Sequence, residues 1–203
     1  IHIYPDADLS GSSETSKSTS GCWCTLEGDG GSVFALEWYS KLQTSTAVST
    51  PEAELVSLSK ALREAGLPLQ ELWSVILQRT VRLVIHEDNM STIQIVNSGY
   101  SQALRHVSKT QRISIGFCHE RCCEPDVDLR HISSNEQCGD LLTKGLDGVK
   151  HQRALELARF TPLNKKSSSS SSAVNKKSSS SSAVGAVVAL DDALGRLVSL
   201  FDV

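Results

Sequence analysis

Three strand-like runs crowd into the first 42 residues with only loops between them, whereas each later strand-like run follows a helical stretch. That change of rhythm restricts the fold sharply. "IHIYPDADL", "GCWCTLEG" and "SVFALEWYS" are close enough to form an antiparallel meander, with "GDGG" (Gly28 to Gly31) as a hairpin turn. In the second run Cys22, Cys24 and Leu26 alternate with Trp23, Thr25 and Glu27, the period of a half-buried strand. "VRLVIHE" and "VDLRHIS" are each reached through a helical crossover, which makes them parallel members of the same sheet. The expected class is α/β: a five-stranded mixed sheet, three antiparallel strands then two parallel ones, flanked by helices.

The helices carry their own signals. In "STPEAELVSLSKALREAG", Ser49 or Thr50 can cap, Pro51 suits the first turn, and Glu52 and Glu54 favour the positive end of the dipole. Leu55, Leu58, Leu62 and Ala65 form its apolar stripe. Gly66 and Pro68 interrupt it before a second helical piece, "LQELWSVILQ". A short helix is expected from Asn89 to about Ser98. A longer one is expected from about Ser101 to Arg121, with Arg105, Lys109 and Arg112 along one basic face. A last helix opens in "NEQCGDLLTKGL" and is expected to run on through "VKHQRALELARF".

Composition narrows the function classes. A net charge of −3 gives no global polycation, so nucleic-acid binding would need local basic patches or a neighbouring subunit's field. The six cysteines lack the spacing of a secreted disulfide framework and are expected as reduced thiols of an intracellular protein. Cys118, His119, Cys122 and Cys123 include no paired CxxC motif of the zinc-binding kind. The apolar run "AVGAVVAL" is far shorter than the ~20 residues of a membrane helix. The sequence opens at Ile1, already strand-like, as a piece of a longer polyprotein would. Residues 1–160 are expected as the folded domain. Residues 161–186, with the imperfect repeat "NKKSSSSSSAV" and "NKKSSSSSAV", read as a low-complexity linker, and 187–203 as a short amphipathic tail helix.

Four acids stand out against this background. Asp6 lies on the first strand in an apolar context, Glu54 one turn into the first helix, Asp88 at the rim of the strand "VRLVIHE", and Asp140 in "NEQCGDLL". Each is expected near the same end of one sheet. Four converging carboxylates repel, and the folded state tolerates them with cations between them. Hard oxygen ligands that leave room for water and phosphate select Mg²⁺, or Mn²⁺ as its substitute, over zinc. Two such ions about 4 Å apart are suited to phosphodiester hydrolysis. Asp8, two residues from Asp6, should share its face and is a possible outer-shell acid.

"YPDADLSG", "STPEAELVSLSKAL", "VIHEDNMSTIQIV" and "NEQCGDLLTKGL", in that order and spacing, closely resemble the ribonuclease H domain of copia-type LTR retrotransposon Pol polyproteins over about Ile1 to Leu146. The resemblance implies a ribonuclease H-like fold, cleavage of the RNA strand of an RNA–DNA hybrid, and an upstream reverse transcriptase as partner. It also implies that Asp6, Glu54, Asp88 and Asp140 are both the catalytic and the metal-binding residues, with two Mg²⁺ ions. Arg105, His106, Lys109 and Arg112 are candidates for contact with hybrid phosphates, which would add affinity without sequence preference. The alternative is a fragment that keeps the fold and acts only as a nucleic-acid or protein binding module.

Overall fold

The sheet is ordered β3-β2-β1-β4-β5, and the first 42 residues supply three of its strands: β1 (His2–Asp8), β2 (Thr19–Glu27) and β3 (Val33–Leu42). β1 pairs antiparallel with β2, and β2 with β3. β4 (Leu83–Glu87) then joins β1 in parallel, and β5 (Val127–His131) joins β4 in parallel. This is the mixed sheet the segment order calls for. The structure, a computed structural model, describes residues 1–160. The linker at 161–186 and the tail helix at 187–203 expected from the sequence lie outside the described residues. Ile1–Glu27 and Val33–Phe160 form one compact unit, and Gly28–Ser32 make the turn between β2 and β3, closed by the Gly28 N–H donating to the Ser32 carbonyl.

Helix α1 (Thr50–Ala61) starts where the sequence places it. The Ser49 hydroxyl accepts the Glu52 N–H, and Pro51 occupies the first turn. Leu55, Leu58 and Leu62 are fully buried against the face of the sheet that carries Ile3, Leu83 and Ile85. The interruption expected at Gly66 and Pro68 is a turn of π-helix, Leu62–Gly66, leading directly into α2 (Leu67–Leu77). A wider turn accommodates a proline whose missing N–H would otherwise break the ladder. Gly66 has a second use: a Cβ there would sit 3.1 Å from Ile3 Cδ1 and 3.2 Å from Leu83 Cδ2, so glycine lets the helix pass close over β1 and β4.

The second half departs from expectation in two places. Helix α3 (Met90–Ser98), capped by the Asn89 side chain, matches the helix expected from Asn89 to about Ser98, and Gly99 closes it in a left-handed conformation. The long basic helix from Ser101 to Arg121 does not form. Instead a single turn, α4 (Val107–Thr110), precedes a separate α5 (Ile115–Cys122), because Arg112 takes a left-handed conformation and Ser114 caps a new start on the Phe117 N–H. Arg105, Lys109 and Arg112 therefore do not share one continuous helix face. The last helix is likewise divided, into a 3₁₀ turn Ser134–Glu136, a short α6 (Asp140–Thr143) and α7 (Gly148–Leu157).

The opposite face of the sheet is covered by this C-terminal part, where Trp23, Cys138 and Ala158 pack with Tyr4, Leu141, Leu142 and Leu157. Close approach is possible because β2 has Gly21 and α6 is preceded by Gly139. A Cβ at Gly139 would lie 2.7 Å from both Asp6 Cβ and the Tyr4 carbonyl oxygen. Gly139→Ala must therefore push α6 off β1, at about 1–3 kcal/mol. The expected result is a melting temperature lowered by several degrees in a thermal scan, while Gly145→Ala, which meets nothing within 4 Å, leaves it unchanged.

Candidate active site

β1 and β4 are hydrogen-bonded neighbours only at His2–Val84 and Ile3–Ile85. Past that point the ladder stops, and Pro5 supplies part of the reason. The Ile1 carbonyl faces β4, where it accepts the Val84 N–H, so by alternation the amide position of Pro5 faces β4 too, without a proton to give. The buried side chain of Gln137 takes up the freed carbonyls. Its Nε2 donates to the Pro5 oxygen at 2.9 Å and to the His86 oxygen at 3.3 Å, and its Oε1 accepts the Gly139 N–H at 3.1 Å. These three bonds end one residue before Asp6, two before Asp88 and one before Asp140. A proline that looks awkward in a central strand thus marks where the strands part and the acids begin.

Asp6, Glu54 and Asp88 each offer a carboxylate oxygen within 4.8 Å of the others. They come from β1, α1 and the residue after β4, elements separated widely in the chain. Asp6 and Glu54 are buried and Asp88 half-buried. Asp140 stands beside this group rather than in it: the Lys144 ammonium bridges Asp6 Oδ1 at 3.1 Å and Asp140 Oδ1. The Thr143 hydroxyl donates to the other oxygen of Asp6. Lys144 and Thr143 follow Asp140 by one helical turn, so α6 brings an acid, a hydroxyl and an ammonium to one acid of β1.

The electrostatics are those of crowded carboxylates. Burial raises the Asp6 carboxyl to about 6, against the pull of Lys144 and Thr143. Burial also raises Glu54, to about 10, with the Glu87, Asp6 and Asp88 charges adding to it. Glu87, fully buried on β4, is pushed up by burial as well, although the Asn89 N–H bonded to it acts in the other direction. Burial opposes the charge on Lys144, but Asp6 and Asp140 hold its ammonium above the ordinary value. Glu54 Oε2 and Glu87 Oε2 are buried with no hydrogen-bond partner among the described residues. An all-oxygen set with orphaned carboxylate atoms fits a hard divalent cation such as Mg²⁺.

The other sequence-derived candidates are placed elsewhere. Asp8 does not join the acidic group; its Oδ1 accepts the Thr19 N–H and so closes the loop after β1. His106 Nε2 is 3.2 Å from Glu52 Oε2, whose carboxylate also accepts from Val48 N and Gln111 Nε2, so this histidine ties α4 to the start of α1. Arg105, Lys109 and Arg112 are exposed. Among the described residues Cys118, His119, Cys122 and Cys123 form no three-donor group, and all six cysteines are free thiols. Sequence reasoning passed over Glu87, Gln137 and Thr143. Glu87 had a legible signal, since Leu83, Ile85 and Glu87 share one parity of a strand; Gln137 had none.

Sheet order, strand directions and flanking helices are those of a ribonuclease H-like fold, with an acidic cluster at the end where its two central strands part. No family model matches the sequence. The chain is similar to copia-type Pol polyproteins. It is 29% identical over 165 residues to the retrovirus-related Pol polyprotein from transposon TNT 1-94 of Nicotiana tabacum, covering 76% of this chain and 11% of that protein. It is 27% identical over 157 residues to the Pol polyprotein from transposon RE2 of Arabidopsis thaliana, covering 75% and 10%. The chain thus spans about a tenth of the length of these relatives. Among solved structures, ribonuclease H1 from the archaeon Halobacterium salinarum NRC-1 aligns with a TM-score of 0.47 at 14% identity, over 70% of this chain and 93% of that one.

The raised Glu54 carboxyl has a consequence for stability. Without a cation, the folded chain keeps this proton up to about pH 10, while the unfolded chain releases it above about 4.5. Its contribution is full below pH 4.5 and is lost as pH rises through the window. In chelator, Glu54→Gln should therefore melt increasingly above the wild type as pH goes from 5 to 8. Saturating Mg²⁺ should reverse the order. Parallel melting curves across that range, followed by circular dichroism, would contradict the electrostatic picture.

Proposed function

We propose that this chain is a divalent-metal-dependent ribonuclease H that hydrolyses the RNA strand of an RNA–DNA hybrid, as part of retrotransposon reverse transcription. The observation that carries the reading is the meeting of Asp6, Glu54 and Asp88 from three elements at the parted end of β1 and β4. The similarity to transposon Pol polyproteins supports it. Asp6, Glu54, Asp88 and Asp140 are the residues that would hold two Mg²⁺ ions, or Mn²⁺ in their place. Such ions supply Lewis-acid stabilisation of phosphoryl charge and a nucleophilic water at neutral pH.

The protein's own part is placement. α1 and β4 both pack against β1, so their carboxylates are held before substrate arrives and need little reorganisation. Asp6 is fixed by Thr143 and Lys144, and the peptide before it by Gln137. Lys144 compensates the Asp6 and Asp140 charges on the α6 side. Recognition of the RNA strand would draw on its 2′-hydroxyl groups. Exposed Arg105, Lys109 and Arg112, on the segment that His106 anchors to α1, would meet backbone phosphates. An upstream reverse transcriptase in the same polyprotein would be the natural partner, in an intracellular setting. No helix among the described residues is long and apolar enough to cross a membrane.

The full chain with Mg²⁺ should cut a labelled RNA–DNA hybrid, spare duplex DNA, and stop cutting when the metal is chelated. Asp88→Asn should lower the rate by about a hundredfold or more, about 2.7 kcal/mol of barrier, with the fold retained. Undiminished cleavage by this variant, or none by the wild type with or without Mn²⁺, would remove the proposal in favour of a binding module.

A further inference from the structure

We propose that Glu87 is a fifth carboxylate of this centre, one that strengthens its grip on divalent cations; the proposal rests on reading the Asp6–Glu54–Asp88 group as a cation site. On β4 the inward-facing row is Leu83, Ile85 and Glu87, and all three are fully buried. A row of apolar side chains thus ends in a carboxylate, the costliest substitution that position could hold without compensation. Glu87 Oε1 accepts the Asn89 N–H at 3.1 Å, reaching across Asp88 to hold the peptide that follows it. Glu87 Oε2 is buried and has no partner, and no Lys, Arg or His among the described residues forms an ion pair with Glu87.

Nothing in the local backbone calls for a carboxylate here, because an amide oxygen would accept the Asn89 N–H equally well. Glu87 directly precedes Asp88, and Glu54 Oε2, which reaches the same group from α1, is the other carboxylate atom buried without a partner among the described residues. Glu87 lies outside the set of three whose oxygens all fall within 4.8 Å, so its part is to lend charge and to fix Asp88, not to complete that set. Neutralising an outer carboxylate that supports a ligand costs metal sites about ten- to a hundredfold in affinity.

The test is calorimetric titration of Mg²⁺ and of Mn²⁺ into the full chain, comparing wild type with Glu87→Gln, Glu87→Asp and Asp88→Asn, with thermal melts in chelator. Glu87→Gln should bind about tenfold or more weakly while melting at or above the wild-type temperature in chelator, and Glu87→Asp should recover most of the affinity. If Glu87→Gln binds within twofold of wild type while Asp88→Asn loses binding, Glu87 is only a backbone anchor and the proposal fails alone. If Asp88→Asn also binds as wild type, the cation reading of the centre fails with it.

Discussion

Everything at the acidic end of this domain depends on two parallel strands that pair and then separate. β1 and β4 share two registered pairs, at His2–Val84 and Ile3–Ile85, before Pro5 withdraws a donor and the Gln137 amide fills the gap. Had the ladder continued, the backbone beyond Ile3 and Ile85 would have been consumed in sheet bonds. Because it stops, Asp6 and Asp88 emerge near the split, and Glu54 reaches them from α1. One buried side chain with every polar atom used keeps that arrangement in place, which is the condition under which a buried polar network specifies a single geometry.

The cluster is held together against its own repulsion. Burial and mutual charge raise Asp6, Glu54 and Glu87, and among the described residues the one ammonium in contact with the acids, Lys144, serves Asp6 and Asp140. The centre thus has two unequal sides. On the α6 side, charge is balanced within the protein by Lys144 and the Thr143 hydroxyl. On the other side, Glu54 of α1 and Glu87 of β4 each leave a buried oxygen without a partner among the described residues. That asymmetry is what a cation site built on a rigid scaffold would show, since strain in the ligands is tolerated where binding relieves it.

Much of the fold was legible because its signals are local. The Ser49–Pro51 helix start and the helix from Asn89 to Ser98 report backbone conformation directly; Cys22 to Glu27 form the expected strand, but it is buried on both faces and not half-buried as its alternation suggests. The helices after Ser101 were misread, because a spacing of basic residues says nothing about whether the backbone between them is continuous. Arg112 and Ser114 break it, through a left-handed residue and a new cap. At the site, Asp6, Glu54 and Asp88 could be expected from motif order, and they do meet. Lys144, one turn after Asp140, could pair with an acid or face water on the sequence alone; that it joins Asp140 to Asp6 depends on where a four-residue helix settles on β1. Gln137 was invisible for the same reason: its three bonds go to Pro5, His86 and Gly139, and only the packed structure brings them together.

The central claim is that one divalent ion can be shared by carboxylates from β1, α1 and the end of β4. Crystals of the full chain soaked in Mn²⁺ and measured at the manganese absorption edge would locate it by anomalous scattering. A peak in contact with the Asp6, Glu54 and Asp88 side chains is the expected result. A map whose manganese lies only at other surface acids, with these three carboxylates unliganded at saturating ion, would contradict it.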